Sequence, residues 1–361
     1  MWKSSVRHFF ALTTLPLALR ILLFFLPSDV WKTIARRFLI LIPQLLALSV
    51  LIFGLAALMP GDALRGLVTP DTPPAVLEQL REHHGLNDPW YVQYGRWMRS
   101  VIIERDFGNS ILHNRPVTDI VAGRIMNTVR LSMLTTFFTY LIAIPLGLLA
   151  GRKHGRPVDK MIMLYTFVAL SMPTIVLSLI NLLIFGFGHD IQIGGYIINF
   201  GIFPTGGSVD PRAIAGTVGY FFSRVQHLIL PAITLASIST IGIIYFLRSE
   251  IIDYETSDFV LTARSKGVPE KKIYSGHILR NAFLPIAGSM GGIVVGLFGG
   301  SIFIETVFSY PGMGELFIGS ITSRDFPVVN MLVMFYAVLS AVSMLISDIL
   351  ITVVDPRIRI K

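Results

Sequence analysis

Residues 258–285 read DFVLTARSKGVPEKKIYSGHILRNAFLP and lie in a charged island, 248–281, with six Lys/Arg and five Asp/Glu between two long apolar stretches. A linker that only reverses the chain needs few polar residues. This one carries helix punctuation. Gly267 stands where the residue after a helix C-cap is expected, and Pro269 where a new helix starts. A helix, an elbow and a second helix held at a membrane surface make a stiff handle for another component to grip.

Outside the island the chain is membrane-like: 53% hydrophobic, 14% charged, mean hydropathy +0.67. The net charge of +8 does not point to nucleic acid, because Lys and Arg gather in short segments beside apolar stretches, as in loops facing anionic lipid. The absence of cysteine excludes disulfides, thiolate metal sites and cysteine nucleophiles.

Six stretches are long enough to span the bilayer as helices: 38–59, 129–150, 161–187, 227–247, 282–305 and 328–354. No outer-membrane-barrel alternation appears. With the first span starting inside, segments 31–37, 151–160, 248–281 and 355–361 are cytoplasmic and hold 16 Lys/Arg. The outside loops 188–226 and 308–326 hold only Arg212, Arg224 and Arg324. Segment 60–128 has seven Arg, no Lys and eight Asp/Glu, and its length removes it from the charge rule.

That segment reads as a small external subdomain. It opens on the turn Pro60-Gly61-Asp62, then shows a helical pattern over 74–85 with Val76, Leu77 and Leu80, ended by Gly85. Tyr91, Tyr94, Trp97 and Met98 follow at similar spacing and read as a small core or a headgroup-level cluster rather than substrate contacts. In the first 30 residues, Pro16 and Arg20 interrupt the apolar run 9–27. An interfacial or loosely packed helix is favoured there over a seventh span, and no signal-peptide cleavage site follows.

The fifth span places Gly288, Gly292, Gly296 and Gly300 four residues apart, a bare ridge on one helix face. It reads as a tight helix–helix seam; a ridge bordering a pore, where helices slide, is the other reading, and spacing does not separate them. Polar groups in the spans are few: Gln44, Asn181, Glu305 and Asp348. The last two lie near span ends, where interfacial water is expected to reach them. No proton relay appears, against a self-powered carrier or lone channel. Enzyme constellations are missing too. The string 151–156 lacks the Lys-Ser/Thr end of a phosphate loop, and the adjacent His83-His84 make a poor metal pair. If ATP drives transport, another chain hydrolyses it.

At the island the chain resembles the permease subunits of binding-protein-dependent ABC importers. Their cytoplasmic loop has the pattern E-A-A-x-x-x-G, followed by an apolar-Leu-Pro element. Here it reads Leu261-Thr262-Ala263-Arg264-Ser265-Lys266-Gly267, with Leu284-Pro285 ending 18 positions after the glycine. Leu261 and Thr262 replace the Glu and first Ala, and the 18-position spacing is longer than the general pattern. Both departures are those of the dipeptide/oligopeptide/nickel branch, whose T-A-R-A/S-K-G…H-x-L-R-N-A is matched by Thr262–Gly267 and His277–Ala282. Further similarities run along residues 31–361. They include Pro60-Gly61-Asp62, Asp106-Phe107-Gly108-Asn109-Ser110, Arg124, Thr128 and Ile144-Pro145-Leu146-Gly147. They continue with Glu305…Phe308…Pro311-Gly312-Met313-Gly314, Arg324-Asp325-Phe326-Pro327 and Asp355-Pro356-Arg357-Ile358-Arg359. Ser343 stands where the family often has Asn. The large external segment and the D-P-R-I-R ending indicate the B-type member of the permease pair.

The resemblance implies an all-α membrane protein: six transmembrane helices of the ABC type-1 importer permease fold, an N-terminal extension and a small external subdomain. The expected divisions are 1–30, 31–59, 60–123, 124–354 with coupling loop 248–281, and a cytoplasmic tail 355–361. It implies half of a translocation path for di- or oligopeptides in a bacterial or archaeal plasma membrane; nickel or another small solute is the alternative. Implied partners are a second homologous permease, two ABC ATPase subunits, an external substrate-binding protein and membrane lipid, with no nucleic acid. No catalytic, cofactor or metal residue is expected. Thr262, Ala263, Arg264, Lys266, Gly267, Arg280 and Asn281 are the expected ATPase-coupling residues. The glycine ridge, read from its spacing alone, is expected to pack against a neighbouring span or the partner permease near the translocation path.

Overall fold

A computed structural model describes residues 28–58, 73–83, 87–188, 190–193, 196–199, 201–283, 286 and 301–354. The N-terminal extension to residue 27, the tail 355–361 and Gly288, Gly292, Gly296 and Gly300 lie outside the described residues.

The first span is helix α1, Ser28–Leu58, with Pro43 inside it. Two short helices follow in the external segment, α2 at Pro74–His83 and α3 at Trp90–Arg99. Two aromatics of α3 form a half-buried cluster against the first span, and no residue of α3 is fully buried. Tyr94 and Trp97 pack on Phe53 with ring centroids 5.6 and 6.0 Å away, and the Tyr94 hydroxyl meets that of Ser49 at 2.9 Å. Tyr91 points out, 61% exposed.

The second span is longer than its apolar stretch. Helix α4, Val117–Arg152, has 36 residues, about 54 Å at 1.5 Å per residue, well beyond the ~30 Å hydrocarbon layer. Its first turns bury Val117 and Val121 against Met313, Leu316, Val328 and Leu332, a second core outside the apolar stretch.

The third span corrects the expectation of one continuous helix over 161–187. Helix α5, Pro157–Ser171, and helix α6, Thr174–Asn181, continued by a π-helical stretch Leu182–Phe187, meet at 105°. Pro173 has no N–H for the ladder and disfavours helical backbone in Met172, which is extended at φ −91°, ψ 124°. A short antiparallel hairpin, β1 Asp190–Ile193 and β2 Tyr196–Asn199, pairs Asp190 with Asn199. It is a small departure from the all-α expectation.

The fourth span is α7, Val218–Glu255, capped by the Thr217 hydroxyl accepting from the Tyr220 N–H at 3.2 Å. Next come α8, Asp258–Ser265, and a helical run α9 over 270–282 with a π turn at Ile273–Ile278. Beyond the end of the fifth span at 301–307, helix α10, Met313–Ser323, leads into the last span, α11, Phe326–Val354. Among the described residues, Val117–Arg152, Val218–Glu255 and Phe326–Met344 are each long and apolar enough to cross a membrane, and the bent α5–α6 pair makes a fourth. Helix α1 has an apolar stretch Leu39–Leu55 and packs on α11.

The principal contact is α4 on α7. Gly147 lies beside Leu247 and Gly151 beside Ile251, so the two helices run parallel, as a second and a fourth span must. Leu131, Thr135, Thr139, Ala143, Gly147 and Gly151 are spaced by four and all buried. This ridge of mostly small residues was not anticipated on the second span. A Cβ on either glycine would sit 2.8 Å from the facing Cβ, closer than side chains approach. Gly147→Leu is therefore expected to cost about 1–3 kcal/mol by overpacking. A melting-temperature drop in the purified permease checks this; Gly242→Leu, with nothing within 4 Å of its Cβ, is the control.

Candidate coupling surface and its anchors

Helix α8 ends as its sequence requires. Gly267 has φ +73°, its N–H donates to the Arg264 carbonyl at 2.9 Å, and the Val268 N–H donates to that of Ala263 at 3.1 Å. These two bonds define the glycine-ended helix stop, and the left-handed backbone suits a residue without Cβ. Pro269 (φ −59°) then opens the next helical run. Val260, Ala263, Ile273, Tyr274, Ile278 and Ala282 fasten the elbow to Ala150, Ile162, Ile244, Leu247 and Ile251 in one buried cluster.

The seven expected coupling residues separate by position. Thr262, Lys266, Gly267 and Arg280 are exposed, beside Leu261 at 51%. Arg264 is drawn into ion pairs with Glu270 at 2.8 Å and Glu255 at 3.5 Å, while the Asn281 amide donates to the His277 carbonyl at 2.9 Å. Ala263 departs from the expectation. It is 8% exposed and faces the chain's own core, because its position on α8 shares a face with Val260. Its small size lets the elbow lie close to the bundle.

Polar anchors hold this end together. The Tyr274 hydroxyl donates to Glu255 at 2.7 Å, and the Arg152 guanidinium lies 5.4 Å from the centre of the Tyr274 ring. Burial, then the Glu255 bond, pushes the Tyr274 phenol up to about 12. Asp159, 3% exposed in the first turn of α5, accepts from the Nε and Nη2 of Arg248 on α7 at 2.7 and 2.9 Å and from the Gly155 N–H at 2.9 Å. The His154 Nδ1 approaches it at 3.3 Å. Sequence reasoning passed over this pair, since one aspartate among Arg152, Lys153, Arg156 and Lys160 reads as a solvated charge.

The Arg248 hydrogen bonds hold the Asp159 carboxyl down at about 2, against the opposing effect of burial. A depressed carboxyl contributes stability above its ordinary value near 3.8, and that contribution is lost as pH falls toward 2. Arg248→Leu reverses the sign. An unpaired buried carboxylate prefers its proton, so the variant's stability deficit should shrink as pH drops from 7 toward 4. Thermal melts of both permeases across that range check it; a constant deficit would contradict it.

At the opposite end, the quoted motifs meet. Glu305 was expected to reach interfacial water but is fully buried. Its carboxylate accepts from the Gly314 N–H at 2.6 Å, the Glu315 N–H at 3.2 Å and the Thr128 hydroxyl at 2.9 Å. It sits on the N-terminus of α10, where free N–H groups favour an anion. Nearby, Arg124 pairs with Glu315 at 2.6 Å, and the Asn127 amide donates to the Pro311 carbonyl at 2.9 Å. Asp325, 2% exposed, accepts from the Ser110 hydroxyl and from the Ile111 N–H at 3.1 Å. That bond joins the 106–110 and 324–327 motifs across the fold. The paired glycines of 311–314 were the signal for the Glu305 site: bare backbone beside a carboxylate nine positions away.

Residues 143–360 match the family described as binding-protein-dependent transport system inner membrane component, and residues 30–134 match its N-terminal family. The oligopeptide transport system permease protein AppB of Bacillus subtilis (strain 168) is 36% identical over 301 residues, 83% of this chain and 90% of the relative. The glutathione transport system permease protein GsiC is 31% identical in Salmonella typhimurium (strain LT2) and 30% in Escherichia coli (strain K12), over 84% of this chain and 91% of each relative. A chain from the solved inward-facing MetNI methionine ABC transporter superposes with TM-score 0.50, covering 66% of this chain and 97% of that one. At 14% identity this likeness is one of fold. The chain belongs to the inner-membrane permease components of binding-protein-dependent transport systems, the non-enzymatic membrane subunits of ABC importers whose ATPase is a separate chain.

Proposed function

We propose that this permease forms half of a path importing di- or oligopeptides across a bacterial or archaeal plasma membrane, paired with a second, homologous permease. The elbow at 248–281 faces the cytoplasm and seats in a groove on one of two ATPase subunits, and a substrate-binding protein docks outside. The observation carrying this reading is the two-sidedness of the elbow. Val260, Ala263 and Ile273 bury its inner face, while Leu261, Thr262, Ser265 and Lys266 leave an exposed outer face. An exposed face that sets Leu261 among Thr262, Ser265 and Lys266 on a stiff, braced helix suits docking in a protein groove. Peptide cargo rests on the relatives, whose names specify oligopeptides and glutathione.

The test is uptake of a radiolabelled tripeptide, of labelled glutathione and of labelled nickel. The host lacks its own peptide and nickel importers and expresses the permease with its neighbouring transport genes. ATP-dependent tripeptide uptake that disappears without this chain supports the reading. Nickel uptake alone would move the assignment to the small-solute alternative. Reporter fusions after residues 155 and 270 should be cytoplasmic, and one at residue 100 external.

A further inference from the structure

The ion pair between Asp159 and Arg248 has a place in transport beyond holding the fold. The parallel seam between α4 and α7 is backbone-close and apolar on the α7 side, with Gly147 on Leu247 and Gly151 on Ile251. That seam holds α4 to α7; the start of α5, a third helix, is tied in by a different contact. The Asp159–Arg248 pair lies beside that seam; the Arg248 carbonyl is 3.3 Å from where a Gly151 Cβ would be. Two near-parallel hydrogen bonds, at 2.7 and 2.9 Å, fix distance and orientation together, which apolar packing does not. Opening the pair would leave a carboxylate that is 3% exposed with the Gly155 N–H and His154 but without its guanidinium, so parting is costly.

Arg248 is also seven residues before the end of α7, whose last residue, Glu255, receives Tyr274 from α9 and Arg264 from α8. Arg152, at the end of α4, covers Tyr274. The ends of α4, α7, α8 and α9 are thus braced together, and Asp159 adds the start of α5 to that block. Deeper in the bundle, the Tyr165 hydroxyl donates to the Ser237 carbonyl at 2.9 Å, a second contact between α5 and α7 beyond the charged end.

We propose that Asp159 and Arg248 are positioning residues for ATP-driven transport: their buried bidentate pair makes the start of the third span move with the coupling elbow as one rigid body. This rests on the reading of 248–281 as the ATPase-coupling element. The pair touches neither cargo nor nucleotide. It carries the elbow's displacement into α5, and from there to the bend at Met172-Pro173.

The chain has no cysteine, so two introduced ones define a distance. Spin labels at Lys160→Cys and Lys271→Cys, both exposed and outside the expected coupling set, report α5 against the elbow. A second pair, Lys271→Cys with Arg212→Cys, reports the elbow against the opposite end. Pulsed EPR distances are taken on the full complex with cysteine-free partner subunits, nucleotide-free and after trapping with ATP and vanadate. The expected result is a 160–271 distance unchanged by trapping while the 212–271 distance shifts. In Asp159→Asn the 160–271 distribution should broaden and shift on trapping, and Asp159→Glu should restore the narrow one. A 160–271 distance that changes in the unmodified pair, or that stays fixed in Asp159→Asn, overturns the proposal. Should Asp159→Asn fail to assemble, Arg248→Lys, which keeps the charge but loses the fork, is judged by the same two outcomes. A complex that forms without any 212–271 shift counts against the coupling reading itself, distinguishing that failure from failure of the joint.

Discussion

Gly312→Ala is expected to remove most folded permease from the membrane although it adds one methyl group. A Cβ at Gly312 would fall on the Glu305 carboxylate, overlapping its carbon and both oxygens. A flexible carboxylate elsewhere would swing aside. This one is fully buried and held by two backbone N–H groups and the Thr128 hydroxyl, so moving it leaves a charge and three donors without partners. Uncompensated buried charge costs about 3–5 kcal/mol, a large share of the ~5–15 kcal/mol that holds a typical domain. Fluorescence-detected size exclusion of detergent extracts measures the surviving monodisperse protein. Gly319→Ala, at the seventh residue of α10 with nothing within 4 Å of its Cβ, should leave the yield unchanged. Equal yields from the two variants would contradict the Glu305 site.

Gly267→Trp should give the opposite combination: normal insertion and lost transport. Nothing lies within 4 Å of a Cβ at Gly267, so no internal clash arises. The left-handed backbone at φ +73° costs a non-glycine residue about 1–2 kcal/mol, tolerable in a surface turn. The indole would instead project from the exposed elbow into the expected ATPase groove. Uptake should fall at least tenfold, about 1.4 kcal/mol or more, with permease yield near wild type. Uptake and ATPase co-purification both surviving would contradict the assignment.

These two glycines also illustrate how far residue order revealed the structure. The stop at Gly267 depends on a turn and its neighbours, all within six residues, and was legible. The role of Gly312 depends on Glu305 folding back beneath α10 and on Thr128 from α4, contacts between distant parts of the chain. The second span looked shorter than it is, because hydropathy marks only the part in lipid while α4 continues past Arg124 to Val117. The third span looked continuous because apolar content averages over Met172-Pro173, although the proline itself announced the bend. The seam on α4 went unnoticed because Thr, Ala and Gly alternate with larger residues there, whereas four glycines in 288–300 stand out. Ala263 was assigned outward because small residues suit a partner's surface; they suit a close approach to one's own core equally well.

The most direct test of the coupling claim is site-specific cross-linking of α8 to the ATPase in the assembled complex. Leu261→Cys and Ser265→Cys lie on the exposed face, Ala263→Cys on the buried one, and Ile214→Cys is exposed at the opposite end. With a short bifunctional thiol reagent and cysteines in the ATPase groove, the first two should cross-link, with a yield that changes on ATP binding. Positions 263 and 214 should not. An intact complex in which neither Leu261→Cys nor Ser265→Cys reaches the ATPase, or in which Ile214→Cys does, would contradict the assignment of 248–281 as the coupling element.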